Sequence, residues 1–104
     1  MTGEMPKAPL EEIFGGKSAR IVDHLVTMRG FDYSIEELTE ILNIRKDLVE
    51  SIIKHLAQFG LVEVTSDRNI KKYRIARNER TELLNKFIFS VACYNIERVT
   101  GKKL

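Results

Sequence analysis

Apolar positions in this chain follow two rhythms, a helical one and a strand one, and the places where one gives way to the other predict the architecture. Ser18, read as an N-cap, precedes Ile21, Val22, Leu25, Val26 and Met28 at helical spacing, and Gly30 ends that run. Ser34 with Glu37 three residues later is a capping-box signature, and Ile35, Leu38, Ile41 and Leu42 extend it into a helix over 34–42. Asn43 tolerates the left-handed conformation of a sharp turn, and Ile44 can plug the corner behind it. A second helix over 45–59 carries Leu48, Val49, Ile52, Ile53, Leu56 and Phe59 as a wide apolar stripe. Gly60 stops it. The period then drops to two over 61–66 and 70–76, two arms joined by turn residues 67–69. On the return arm, alternation sets Tyr73 and Ile75 on one face and Ile70, Lys72 and Arg74 on the other, predicting one core face and one basic face.

Two flanking segments complete the pattern. Pro9 opens a short helix over 9–14, closed by Gly15 and Gly16, which is expected to pack Leu10, Ile13 and Phe14 on the domain. Residues 31–33, Phe-Asp-Tyr, are read as a minor strand able to pair with the hairpin. Asn78 is the expected N-cap of a long last helix whose apolar residues cover more than one stripe and so need burial on two sides. A second copy of the chain is the expected cover for the outer side, with Leu84, Phe87, Ile88, Val91 and Tyr94 as the dimer interface. The expected organisation is a disordered 1–8, a domain over 9–77, a dimerisation helix over 78–100 and a basic tail at 101–104. The fold class is mainly α with a small β-hairpin and a long C-terminal helix.

Composition adds bounds. The 104 residues suit one domain, and 43% hydrophobic with 31% charged residues is ordinary for a globular protein. No window approaches the roughly 20 apolar residues of a membrane span, and residues 1–8 lack a signal-peptide core, so a cytoplasmic protein without membrane contact is expected. Cys93 is the single cysteine; alone it makes neither a disulfide framework nor a tetrahedral metal site, and it reads as a small buried hydrophobe.

Net charge is only +2, but its distribution is uneven. The first 42 residues hold 4 Lys and Arg against 8 Asp and Glu, and the rest hold 13 against 7. Residues 68–80 are the densest cationic segment, which points to a polyanionic partner approached with one face. No nucleophile and base spacing or paired carboxylates suggest an active site, so an enzyme is not expected and no cofactor is implied. Gly15-Gly16-Lys17-Ser18 echoes the end of a phosphate loop without its first glycine or preceding strand. His24 and His55 lie far apart in the chain and are read as partly buried imidazoles rather than metal ligands.

The order helix, tight turn, helix, hairpin over 34–74 resembles the winged helix-turn-helix regulators of the ArsR and MarR type, especially their small archaeal relatives. The resemblance covers about residues 10–75. Its most telling residues are Ile13-Phe14-Gly15, the 34–42 helix, Leu42-Asn43-Ile44, and Val49, Ile53, Leu56 and Gly60-Leu61-Val62. It implies that the 45–59 helix enters the major groove of double-stranded DNA, with Arg45, Lys46, Asp47, Glu50, Ser51 and Lys54 facing bases and phosphates. It also implies that the wing over 66–74, through Arg68, Lys71, Lys72 and Arg74, holds the backbone, and that the terminal helix forms a homodimer. The metal-sensing cysteine motifs of part of the ArsR family have no counterpart here. Such domains commonly carry Ser or Thr where Arg45 stands and neutral or basic residues where Asp47 and Glu50 stand. The two acids fit either a solvated Lys46-Glu50-Lys54 ladder or acceptors for cytosine amino groups. The resemblance leaves a rival, because the same fold also serves as a protein-docking module in transcription or chromosome-associated complexes.

Overall fold

The computed structural model describes residues 7–100. The expected basic tail and all but the last two residues of the expected disordered N-terminus lie outside them. Element order is α1 (Pro9–Phe14), α2 (Gly16–Thr27), α3 (Ile35–Leu42), α4 (Lys46–Gln58), β1 (Val62–Asp67), β2 (Ile70–Ile75) and α5 (Glu79–Thr100). The protein is mainly helical, with a two-stranded antiparallel hairpin and a long C-terminal helix. No helix among the described residues is long and apolar enough to cross a membrane.

The core gathers one stripe from each of α2, α3 and α4. Ile21, Leu25, Leu38, Val49 and Ile53 are its most completely buried side chains, with Val62 and Ile75 contributed by the hairpin. A fully buried residue of this kind gains roughly 1.5–3 kcal/mol over an exposed one, so these side chains set the relative placement of the helices. The reciprocal capping box forms: Ser34 Oγ accepts from the Glu37 amide at 3.1 Å, and Glu37 Oε1 accepts from the Ser34 amide at 2.8 Å.

α2 begins at Gly16, two residues before the expected Ser18 cap, and ends at Thr27 rather than Gly30. Gly15, with φ 73°, turns the chain so sharply that one residue ends α1 and starts α2. The start of α1 is held by a buried acid that its own sequence does not reveal: Asp23 Oδ1 and Oδ2 accept from the Leu10 and Glu11 amides at 3.0 and 2.9 Å. Burial pushes the Asp23 carboxyl above its usual range, against the lowering effect of those two amides. Leu10 is buried as expected, whereas Ile13 and Phe14 are exposed. The three share one helical face, but Ile13 and Phe14 lie beside α5, where Phe14 meets Phe87 and Ile13 borders a surface groove.

Residues Arg68 and Asn69, at φ 51° and 68°, form the hairpin turn, and Asp67 pairs with Ile70. The turn is thus two residues long rather than the expected three. Both residues take the positive φ that matches strand twist. Tyr33 forms a bridge with Tyr73 through reciprocal amide bonds of 2.9 and 2.8 Å, so the expected minor strand is reduced to one pair.

Candidate nucleic-acid interface

The turn between α3 and α4 is fixed from three sides. Asn43 sits in the left-handed region with φ 54° and ψ 51°, Ile44 is buried behind it, and Arg20 Nη1 donates to the Leu42 carbonyl at 3.2 Å. The same guanidinium bonds Glu11 through Nε and Nη2, which ties the end of α3 to α1. α4 therefore leaves the turn at a defined angle, with Val49, Ile52, Ile53 and Leu56 inward. Its outer face collects Lys46, Asp47, Glu50, Ser51 and Lys54, with Arg45 as its exposed N-cap. The six residues proposed for groove reading thus share one exposed surface. Phe59 was expected in the buried stripe, but it is the C-cap residue and stands 58% exposed, because α4 has already ended at Gln58. His55 is exposed too, edge-on to the Phe59 ring at 5.2 Å.

The cations are less free than their number suggests. Arg45 Nη2 meets Asp47 at 3.2 Å and Lys46 Nζ meets Glu36 of α3 at 3.1 Å. Lys46 was expected in a ladder with Glu50 and Lys54; α3 instead presents a nearer carboxylate. Glu36, bonded first to its own amide and then to Lys46, is held below the usual carboxylate range, and Lys46 is raised mainly by Glu36 and secondarily by Glu50. On the hairpin, Lys72 lies 4.0 Å from Glu37, and Arg74 pairs with Glu63, its partner across the strands. The expected basic face of β2 is thus half-buried and paired at Lys72 and Arg74. Among the described residues, Lys54, Arg68 and Lys71 carry no ion pair, and Arg68 and Lys71 stand exposed at and beside the hairpin tip. Between α4 and the hairpin runs a groove of about 480 Å³ bordered by Glu50, Ser51, Lys54, Val64 and Tyr73.

At the opposite end of the sequence, α5 is clamped to the end of α4. Asn78 Oδ1 accepts from the Thr81 amide at 3.1 Å, as an N-cap should, and Asn78 Nδ2 donates to the Gly60 carbonyl at 2.6 Å. Arg80 Nε donates to the Phe59 carbonyl at 3.0 Å. Of the residues expected at a dimer interface, Leu84 and Ile88 pack against the core instead, since α2 reaches that side of the helix. Phe87 and Tyr94 are exposed, and Val91 is half-buried beside them. Sequence reasoning missed their neighbours: the Phe14 and Phe87 rings lie 6.4 Å apart, and Ile13 borders a groove with Val91 and Tyr94. The adjacent aliphatic and aromatic residues of α1 looked like core, and only the tertiary position of α1 puts them beside α5.

Among the described residues no group of three or more His, Cys, Asp or Glu is placed to hold a metal ion. No protein-family model matches the chain, no curated protein matches it, and no solved structure matches it.

Proposed function

We propose that the chain is a winged helix-turn-helix regulator that binds double-stranded DNA as a homodimer, with α4 in the major groove and the hairpin on the backbone. The observation that carries this reading is the exposed outer face of α4, aimed by the left-handed turn at Asn43 and the buried Ile44 and facing the hairpin strands across the groove that Glu50, Ser51, Lys54, Val64 and Tyr73 border. Lys54, Arg68 and Lys71 supply unpaired positive charge on α4 and the hairpin, and the pairs at Arg45, Lys46 and Arg74 are exposed enough to be exchanged for phosphates. Exposed pairs of this sort are worth roughly 0–1 kcal/mol, less than a charge-assisted bond to phosphate at about 1.5–3 kcal/mol. Glu50 and Ser51 then read base edges, while the cations release counterions and give affinity without sequence preference. The apolar surface of Ile13, Phe14, Phe87, Val91 and Tyr94 supports the dimer, because a contiguous patch of this kind is seldom left in water.

The test is a randomised-duplex selection on the purified chain. Arg68→Ala with Lys71→Ala should weaken every duplex alike, and Glu50→Ala should change which duplex is preferred. Identical selected sequences for wild type and Glu50→Ala would remove the base-reading role.

A second reading has its own support. The carboxylates of Glu36, Glu37, Asp47 and Glu63 lie against four of the seven proposed contact cations, which favours a docking module whose surface is balanced for protein rather than polyanion. That module would use the same Phe14 and Phe87 patch for a different protein, and it predicts no retention of duplex at low salt.

A further inference from the structure

The chain contains eight arginines, and five are engaged within it. Arg20 holds Glu11 and the Leu42 carbonyl, Arg45 holds Asp47, Arg74 holds Glu63, Arg80 holds the Phe59 carbonyl and Arg98 holds Asn95. Among the described residues the side chains of Arg29, Arg68 and Arg77 have no hydrogen-bond or ion-pair partner. Arg68 stands at the hairpin tip. The other two line one cavity of about 390 Å³, where the turn after α2, the end of β2 and the first turns of α5 meet.

We infer that this cavity is a binding site for a small organic monocarboxylate. Its apolar lining is Val26, Ile75 and Ala76; Val26 and Ile75 are almost wholly covered core residues, so they form an apolar floor of small area beneath the charged rim. Thr81, also lining it, is buried and has its hydroxyl committed to the Ala76 and Asn78 carbonyls, so it gives shape rather than a free donor. The remaining polar side chains are Glu82 and Asn85. With two guanidinium groups and one carboxylate, the lining carries one net positive charge, which a monoanion balances and a phosphate dianion exceeds. Guanidinium groups recognise a carboxylate through strong charge-assisted bonds, and a cavity of this volume is within the range of small-molecule sites. No residue of α4 lines it, so the inference stands apart from DNA binding.

The experiment is a titration of the full chain, followed by amide NMR shifts, with benzoate, the neutral isostere benzamide and inorganic phosphate. Benzoate should saturably move the signals of Val26, Ile75, Ala76 and Asn85, with benzamide and phosphate each at least about tenfold weaker, the loss expected when one strong charge-assisted contact is missing. Arg29→Gln with Arg77→Gln should weaken benzoate by about tenfold or more at an unchanged melting temperature, since both side chains are exposed. Glu82→Gln, which removes the opposing carboxylate, should tighten it severalfold. The site is refuted by unmoved signals, by equal binding to the double arginine variant, or by Glu82→Gln leaving benzoate affinity unchanged. Phosphate binding as tightly as benzoate refutes the organic monocarboxylate and leaves only a surface anion site.

Discussion

α4 and α5 are both amphipathic helices rich in large apolar residues, yet they end up in opposite situations. α4 buries Val49, Ile52, Ile53 and Leu56 and exposes a polar face, whereas α5 has Thr81 as its one buried described residue and leaves Leu83, Phe87, Phe89, Tyr94 and Ile96 exposed. The difference comes from neighbours rather than letters. α4 lies against α3 and β1 and sends its apolar stripe into the common core, while α5 lies against α1 and α2 and packs Leu84 and Ile88 on that core. One helix spends its apolar surface on the fold; the other leaves most of it exposed.

Substitutions can break that contrast, beginning with the largest effect. Ile53→Ala, at a side chain only 2% exposed, should cost about 3 kcal/mol in denaturant unfolding. Phe87→Glu should change the stability of the isolated domain by no more than about 1 kcal/mol, as a partly exposed position does. Its effect should appear in solution mass, which falls from dimer to monomer. A Phe87→Glu variant that unfolds as Ile53→Ala does would show α5 to be core after all.

Ser34→Ala removes one half of the capping box at the start of α3 and should cost about 1 kcal/mol, measured as a shift of the denaturant midpoint. A smaller and pH-dependent effect belongs to His24. Its buried Nε2 has no partner and its ring packs on Tyr33 at 5.0 Å, so burial lowers its pKa below 6.5. The folded state therefore resists protonation, and its contribution is present above pH 6.5 and falls away as pH drops through that value toward the folded pKa. His24→Phe should flatten the stability profile between pH 7 and pH 5; an unchanged slope would place the titrating group elsewhere. Smallest of all, Glu36→Gln frees Lys46 and should raise duplex affinity about two- to fivefold, the range of an exposed ion pair.

The parts of this fold that were legible in the sequence are those decided locally. Ser34 and Glu37 find one another three residues apart, Asn43 and Gly60 mark conformations few other residues adopt, and the shift from helical to strand period follows Gly60 directly. What escaped depends on elements distant in sequence. Asp23 caps a helix 12 residues before it, Phe14 reaches α5, and Phe59 lies beyond the last turn of the helix whose stripe it continues. The same limit applies to the candidate interface. Its residues could be named from helix and strand periodicity, but the pairing of Lys46 with Glu36 depends on the angle between α3 and α4, and that of Arg74 with Glu63 on hairpin register. Charge counted along a chain is therefore an upper bound on charge available to a partner.

Titration of the full chain with a mixed-sequence duplex between 50 and 200 mM salt tests the central claim most directly. If Lys54, Arg68 and Lys71 alone meet phosphates, the logarithmic salt slope is about −2.7 per protomer, a loss of roughly fortyfold over that range, and a dimer roughly squares it. Absence of binding at 50 mM, or binding that does not respond to salt, would contradict the account.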